Sequence, residues 1–472
     1  MIKSKPVLIL RNFSQKEFRD FEKFLSAELF PSWAYLQSLM KIIRPHFPAM
    51  DAPALEKKKV FRKLFPEEVF DENKMRHILS DLAKALEEFI AYRELNTDPI
   101  RKKLLLLDYY RRNGPEKYYI QIYEDTLKMQ QKARVKDALW FFNQYLLEEK
   151  AYIHSQHQKS RSLDSNLQTL SDYLDLFYIT NKLKHSGEML TREMLLKVAY
   201  QKPFLEEVVR HVRNAPFSKY PSVSVYYLIV LMHLEPGNDS HYRNLLVLLE
   251  QNKESFSREE LVDMYVFAQN YCTHQINSGH PEYLREIFSL YQKMIELDAI
   301  YENGFVRPHV FKNMVTVGIR LDEFAWVEEF IGQFKDRLDP RHREHAVNYN
   351  MAWLFYARKE YKKSLRHLAH AEMMDVFYQL GARCLQLKIY YETMEESSFY
   401  SLTDSFYVYL RRNEQIADFQ KNAHLLFVKT IKRLMRIRLD RDKKAAGIFR
   451  EELASAKDLL DLSWFMKKLD EI

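Results

Sequence analysis

Residues 351–371 read Met351-Ala352-Trp-Leu-Phe355-Tyr-Ala-Arg-Lys-Glu-Tyr361-Lys-Lys-Ser364-Leu365-Arg-His-Leu368-Ala-His-Ala371. Small side chains at Ala352, Ser364 and Ala371 let two helices approach closely, while Phe355, Tyr361 and Leu368 fill the space between them. The same rhythm extends outward. Phe324, followed by Val327 and Ile331, lies 37 residues before Tyr361, and Tyr283 and Tyr242 precede it at steps of 41. Downstream, Leu387, Tyr390 and Tyr391 open a further pair that Phe406 and Tyr409 complete. Breakers stand at Pro236-Gly-Asn238, Gly279-His-Pro281, Asn303-Gly304 and Leu338-Asp-Pro340, which this reading places between helical pairs.

This pattern resembles the tetratricopeptide repeat, a helix–turn–helix unit of about 34 residues, over about residues 220–410. Ser364 stands where that family usually has alanine, and no tryptophan takes the early position of the first helix, so the units are degenerate. The resemblance implies an all-α fold, a right-handed superhelix of paired antiparallel helices whose first helices line a concave face. In that register Tyr349, Trp353 and Tyr356 share one inner stripe, and His309, Lys312, Thr316 and Arg320 lie on the neighbouring unit. Rigid aromatics beside cations suit a protein or peptide with acidic and apolar groups.

The rest of the chain agrees with helix. Only 9 of 472 residues are glycine, roughly 2% against an average near 7%, which leaves little material for tight turns or phosphate-cradling loops. Residues 1–97 read as a small domain of four helices. Ser14-Gln-Lys-Glu17 is a capping box ahead of Phe18, Phe21, Phe24 and Leu25, with a stop near Pro31. Ser32 caps a helix carrying Trp33, Leu36, Leu39, Met40 and Ile43. Pro53 opens one with Val60, Phe61, Leu64 and Phe65. Asp71 caps the longest, with Met75, Ile78, Leu79, Leu82, Leu86 and Phe89 on one face. Residues 98–220 continue as helices, with Gly114-Pro115 as a left-handed cap and restart. Trp140 and Phe141 head a bulky face there. Residues 154–165 form a loop or exposed extension, a helical run from Leu167 ends near Ser186-Gly187, and Pro203, Pro216 and Pro221 mark shorter elements. Residues 221–410 hold the repeats. Residues 411–472 form closing helices, with Leu425, Val428, Ile431, Leu434 and Met435 as an apolar face, as the end of an open array requires.

Charge and chemistry narrow the function. Lys and Arg number 72 against 65 Asp and Glu, a net +7, too mild by itself to indicate nucleic acid. Cys272 and Cys384 are lone thiols suited to a reducing compartment. The amino terminus has only four apolar residues in a row, and the longest apolar stretch, Val225–Met232, is far short of the roughly 20 that a membrane helix needs. A cytoplasmic, soluble protein without membrane contact is expected. No Gly-x-Gly-x-x-Gly, Gly-x-x-x-x-Gly-Lys, Gly-x-Ser-x-Gly or His-Glu-x-x-His occurs, and Ser38-Leu-Met-Lys41 in an amphipathic helix is a chance match. The pairs His154/His157, His342/His345 and His367/His370 lack further ligands at the right step, so no metal is expected.

No catalytic residue and no cofactor is therefore nominated. The function expected is a non-enzymatic scaffold or adaptor that binds another protein. A second reading is a nucleic-acid-binding or regulatory protein that uses the ridge Lys429, Lys432, Arg433 and Arg436 on one helix face, although no aromatic side chain interleaves it. A third is an enzyme on an unfamiliar helical fold.

Overall fold

The computed structural model describes residues 1–27, 34–157, 165–196, 198–214, 217–302, 304–369, 376–414, 416–454 and 459–472. Pro31, Ser32, Trp33, Pro216, Asn303, His370 and Ala371 lie outside them, as does the side chain of His157. The fold is all-α. Among the described residues the only strands are two of two residues each, Tyr301–Glu302 and Phe305–Val306, paired antiparallel around Gly304, whose φ of +82° favours glycine. No helix here is long and apolar enough to cross a membrane. The chain divides into two compact units, residues 1–182 and 183–472.

In the first unit, the described residues up to Thr97 hold five α-helices rather than the four expected. The extra one, Lys5–Arg11, begins with Pro6 in its first turn and buries Val7 and Leu10. Its apolar run is too short to be a secretory core but long enough for two helical turns. Ser14 and Glu17 form the expected capping box. Pro53 starts only a short turn, Pro53–Leu55, before an extended Glu56 lets a separate helix begin at Lys57. The side chain of Asp71 caps Glu72–Thr97 through the amides of Asn73 and Lys74, and Phe18, Phe21, Phe61, Leu82, Leu86 and Phe89 meet in one core. Leu104, Leu107, Tyr119 and Leu147, from helices Pro99–Asn113, Glu116–Lys132 and Ala138–His157, gather in another.

Two glycine expectations need correction. Gly114 is extended (φ −114°, ψ 167°) rather than left-handed. Glycine is required there because a Cβ would lie 2.3 Å from the Tyr110 ring. Gly187 does not end its helix, which runs Ser165–Leu196. Its missing side chain instead lets the helix approach Pro221–Leu234, where a Cβ would sit 3.0 Å from Ile229. A mid-helix glycine costs roughly 1 kcal/mol, and here it leaves room for the Ile229 side chain.

The second unit is a run of helical hairpins: Pro221–Leu234 with Ser240–Asn252, Arg258–Asn277 with Tyr283–Glu296, Pro308–Arg320 with Phe324–Phe334, Arg343–Ala357 with Tyr361–His367, and Val376–Thr393 with Glu396–Arg412. From Pro308–Arg320 onward, the first helix of each hairpin also packs on the first helix of the next. Tyr242, Tyr283, Phe324 and Tyr361 all fall at or near the start of a second helix. Pro236-Gly-Asn238 and Gly279-His-Pro281 lie inside hairpins and not between them, whereas Gly304 and Leu338-Asp-Pro340 do separate hairpins.

The turns inside the last four hairpins share one construction. Gly279, Asp322, Lys359 and Met394 take left-handed backbone angles, with φ of 97°, 58°, 61° and 58°. In each, the next amide reaches back five residues: His280 to Gln275, Glu323 to Gly318, Glu360 to Phe355 and Glu395 to Tyr390, at 2.8–3.0 Å. This double closure of the last helical turn is the Schellman arrangement. Three of the four positions use a side-chain-bearing residue, so scarce glycine does not prevent tight turns. It makes them costlier, by about 1–2 kcal/mol each.

Candidate functional site

Each helix brings its side chains to the site by ordinary helical spacing. Lys312, Thr316, Ile319 and Arg320 share a face of Pro308–Arg320, and Tyr349 and Trp353 are one turn apart on Arg343–Ala357. Gly381 and Cys384 follow on Val376–Thr393. These residues, His424 of helix Asp418–Asp440, and Leu460, Asp461 and Ser463 of the C-terminal segment line a cavity of about 580 Å³. Five of the seven residues expected on the inner stripes thus meet in one cavity. His309 is exposed and does not line it. Partial desolvation and then the charge of Arg307 hold its imidazole below the usual value.

Tyr356 has a different place. Its hydroxyl donates to Glu392 Oε1 at 2.6 Å and accepts from the Trp464 indole N–H at 2.8 Å. Glu392 also accepts from Tyr361 at 2.6 Å and from Trp464 at 3.1 Å, with Lys468 Nζ at 3.4 Å. Burial pushes this carboxyl upward, but the hydrogen bonds and the lysine together keep it below the ordinary value. Glu392 is the hub of a polar cluster that sequence reasoning missed.

Charges in the cavity are arranged unevenly. Arg320 and Thr316 are exposed, while Lys312 is half-buried with Nζ 5.5 Å from the centre of the Tyr349 ring. Burial lowers the Lys312 pKa, and the charge of Asp461 acts in the other direction. Asp461 of the cavity wall is ion-paired at 2.6 Å with Lys388, whose side chain is only 3% exposed. The Lys388 ammonium lies 5.1 Å from the Trp353 ring and 5.3 Å from that of Trp464. Burial pushes the Cys384 thiol and the Tyr349 hydroxyl upward, so both keep their protons at neutral pH. A reactive cysteine needs the opposite shift. His424 donates from Nδ1 to the Gln420 carbonyl at 2.7 Å, and burial holds it below its usual value. The cavity therefore offers cations, hydroxyls and an aromatic wall, which together suit a ligand with a carboxylate beside apolar surface.

The basic ridge is already partly neutralised. Lys432 pairs with Asp404 at 2.8 Å. Arg433 forms a two-pronged pair with Glu452 and lies 4.1 Å from the Phe449 ring. Lys429 and Arg436 remain exposed. Among the histidine pairs, His154 stacks on Tyr119 and His367 meets Asn348. Among the described residues no group of three His, Cys, Asp or Glu side chains is gathered as a metal would need.

Two of the missed residues had a local signal. Gly381 is a rare glycine inside a helical run, and Lys388 interrupts the apolar sequence Leu385-Gln-Leu387-Lys-Ile389. Asp461, Trp464 and His424 had none. Comparison with protein-family models, curated proteins and solved structures finds no match to this chain.

Proposed function

We propose that this chain is a non-enzymatic scaffold whose repeat-like hairpins, related to the tetratricopeptide pattern and stacked into a superhelix, hold a segment of another protein on their concave side. The observation that supports this most is the convergence of Lys312, Thr316, Arg320, Tyr349 and Trp353 on one cavity. The partner segment carries an acidic group, which meets Lys312 and Arg320, and an apolar group, which meets Trp353. Rigid aromatics lose little entropy on binding, and arginine forks match carboxylates, so such a site concentrates affinity in few contacts. The reading also accommodates the protonated, inert forms of Cys384 and Tyr349. Internal pairing of Lys432 and Arg433 makes the ridge a poorer phosphate surface than its sequence suggests.

Affinity capture from the native cell lysate, with nuclease added to half of the sample, tests this. A partner recovered in near-stoichiometric amount in both halves, and lost with Arg320→Glu while thermal melting is unchanged, is the expected result. Recovery that disappears with nuclease, or that survives the charge reversal, overturns it.

A further inference from the structure

The turn between helices Pro99–Asn113 and Glu116–Lys132 carries three tyrosine rings in a row. Tyr110 is in the middle, its ring centre 5.5 Å from that of Tyr109 and 5.7 Å from that of Tyr118. Gly114 fixes this order. A Cβ there would lie 2.3 Å from the Tyr110 ring, so the missing side chain seats that ring against the turn and leaves the other two on either side. Tyr109 is 53% exposed and Tyr118 41%. Leu105, one turn before Tyr109 on the same helix, is exposed as well. Apolar surface gathered in one exposed place and rimmed by charge marks an interaction site.

Cations are interleaved with these rings. Arg101, Leu105, Tyr109 and Arg112 follow one stripe of the first helix, about 16 Å long at 1.5 Å per residue. Arg112 Nε donates to the Asp108 carbonyl at 3.1 Å, which holds the guanidinium to its own helix. Lys117 stands across the turn with Nζ 4.9 Å from the centre of the Tyr118 ring. Arg101, Arg112 and Lys117 are all exposed, and among the described residues no carboxylate pairs with them. The acids nearest in sequence are engaged elsewhere. Asp98 caps the helix, Asp108 pairs with Lys150 at 2.6 Å, and Glu116 faces His154 at 3.8 Å. On the ridge of Asp418–Asp440, by contrast, two of the four cations are ion-paired. We propose that the turn around Gly114 is a docking surface for single-stranded nucleic acid, with bases stacked on Tyr109 and Tyr118 and phosphates against Arg101, Arg112 and Lys117. Only an unpaired strand offers its base faces to side chains, because in a duplex neighbouring bases cover them. The surface lies wholly in the first unit and does not depend on the partner site in the second.

The probe is a fluorescein-labelled oligouridylate of about 12 nucleotides, within the usual range of site sizes, titrated into the full chain and followed by fluorescence anisotropy. It binds, and its affinity falls roughly 20-fold between about 50 and 200 mM salt, the dependence that three neutralised phosphates give. Tyr109→Ala with Tyr118→Ala loses at least ten-fold at constant salt, because the stacked bases lose their platform. Tyr109→Phe with Tyr118→Phe keeps the rings and binds as the unaltered chain does. Should the alanine pair misfold, Arg112→Glu with Lys117→Glu decides, with a loss of at least ten-fold and a shallower salt dependence. No binding, equal binding of a duplex of the same length, or unchanged affinity in an alanine pair that melts normally overturns the proposal. So does loss of binding with Lys429→Glu and Arg436→Glu but not with the variants at the turn, which would put the strand on the ridge. Sedimentation with phosphatidylserine vesicles and no binding of oligouridylate would make the turn a membrane contact and overturn it too.

Discussion

Gly381 faces Tyr349 so closely that a Cβ at position 381 would lie 2.3 Å from the tyrosine hydroxyl and 3.0 Å from its ring. Tyr349 is 4% exposed and forms part of the cavity wall, so the contact sets both helix spacing and cavity shape. Gly381→Ala should destabilise the protein by about 1–3 kcal/mol, the usual cost of overpacking. Urea unfolding monitored by circular dichroism measures it. An unchanged midpoint would mean that the ring swings aside freely and that glycine is not required.

Lys359 turns the chain between Arg343–Ala357 and Tyr361–His367 with a φ of 61°. Lys359→Gly relieves the left-handed strain at the cost of extra entropy in the unfolded chain, for a net gain of up to about 1 kcal/mol. Lys359→Val should lose at least that much, because a β-branched residue tolerates this region poorly. If the two variants melt at the same temperature, the turn does not constrain the hairpin.

His233 carries a pH dependence. Burial first, then the charge of His274, lowers its pKa from 6.5 to about 4. The Thr191 hydroxyl donates to the Gly187 carbonyl, so His233 Nε2 donates to it in turn at 3.0 Å, a bond that the neutral Nε2–H tautomer can make. The folded state therefore binds this proton less readily than the unfolded state. Its stabilising contribution is complete above pH 6.5 and falls as the pH drops from 6.5 through 4. By pH 4.5 the unaltered protein should have lost about 2 kcal/mol more, relative to pH 7, than His233→Gln. Parallel pH profiles from chemical denaturation of the two proteins would contradict this.

Legibility differed with the range of the interaction. The Ser14–Glu17 capping box, the Asp71 cap and the buried faces of Val428, Ile431, Leu434 and Met435 depend on residues a few positions apart, and all could be read directly. The starts of second helices at Tyr242, Tyr283, Phe324 and Tyr361 were also legible, because bulky residues at those points wedge neighbouring helices. Gly187 reads as a stop in the sequence, but its role is an approach to Ile229, 42 residues away. The turns at Asp322, Lys359 and Met394 were hidden, since nothing in an aspartate, lysine or methionine marks a left-handed backbone.

Helical class and the starts of the second helices were thus determined by the sequence, because periodicity and capping act over one or two turns. Tertiary structure alone decided that Lys312 and Arg320 open onto the same cavity as Trp353. It also decided that Trp464 hydrogen-bonds to Tyr356, 108 residues earlier, and that Asp461 reaches Lys388. Those contacts depend on where a terminal helix comes to rest, which is settled by shape and by the need of a buried ammonium for a carboxylate.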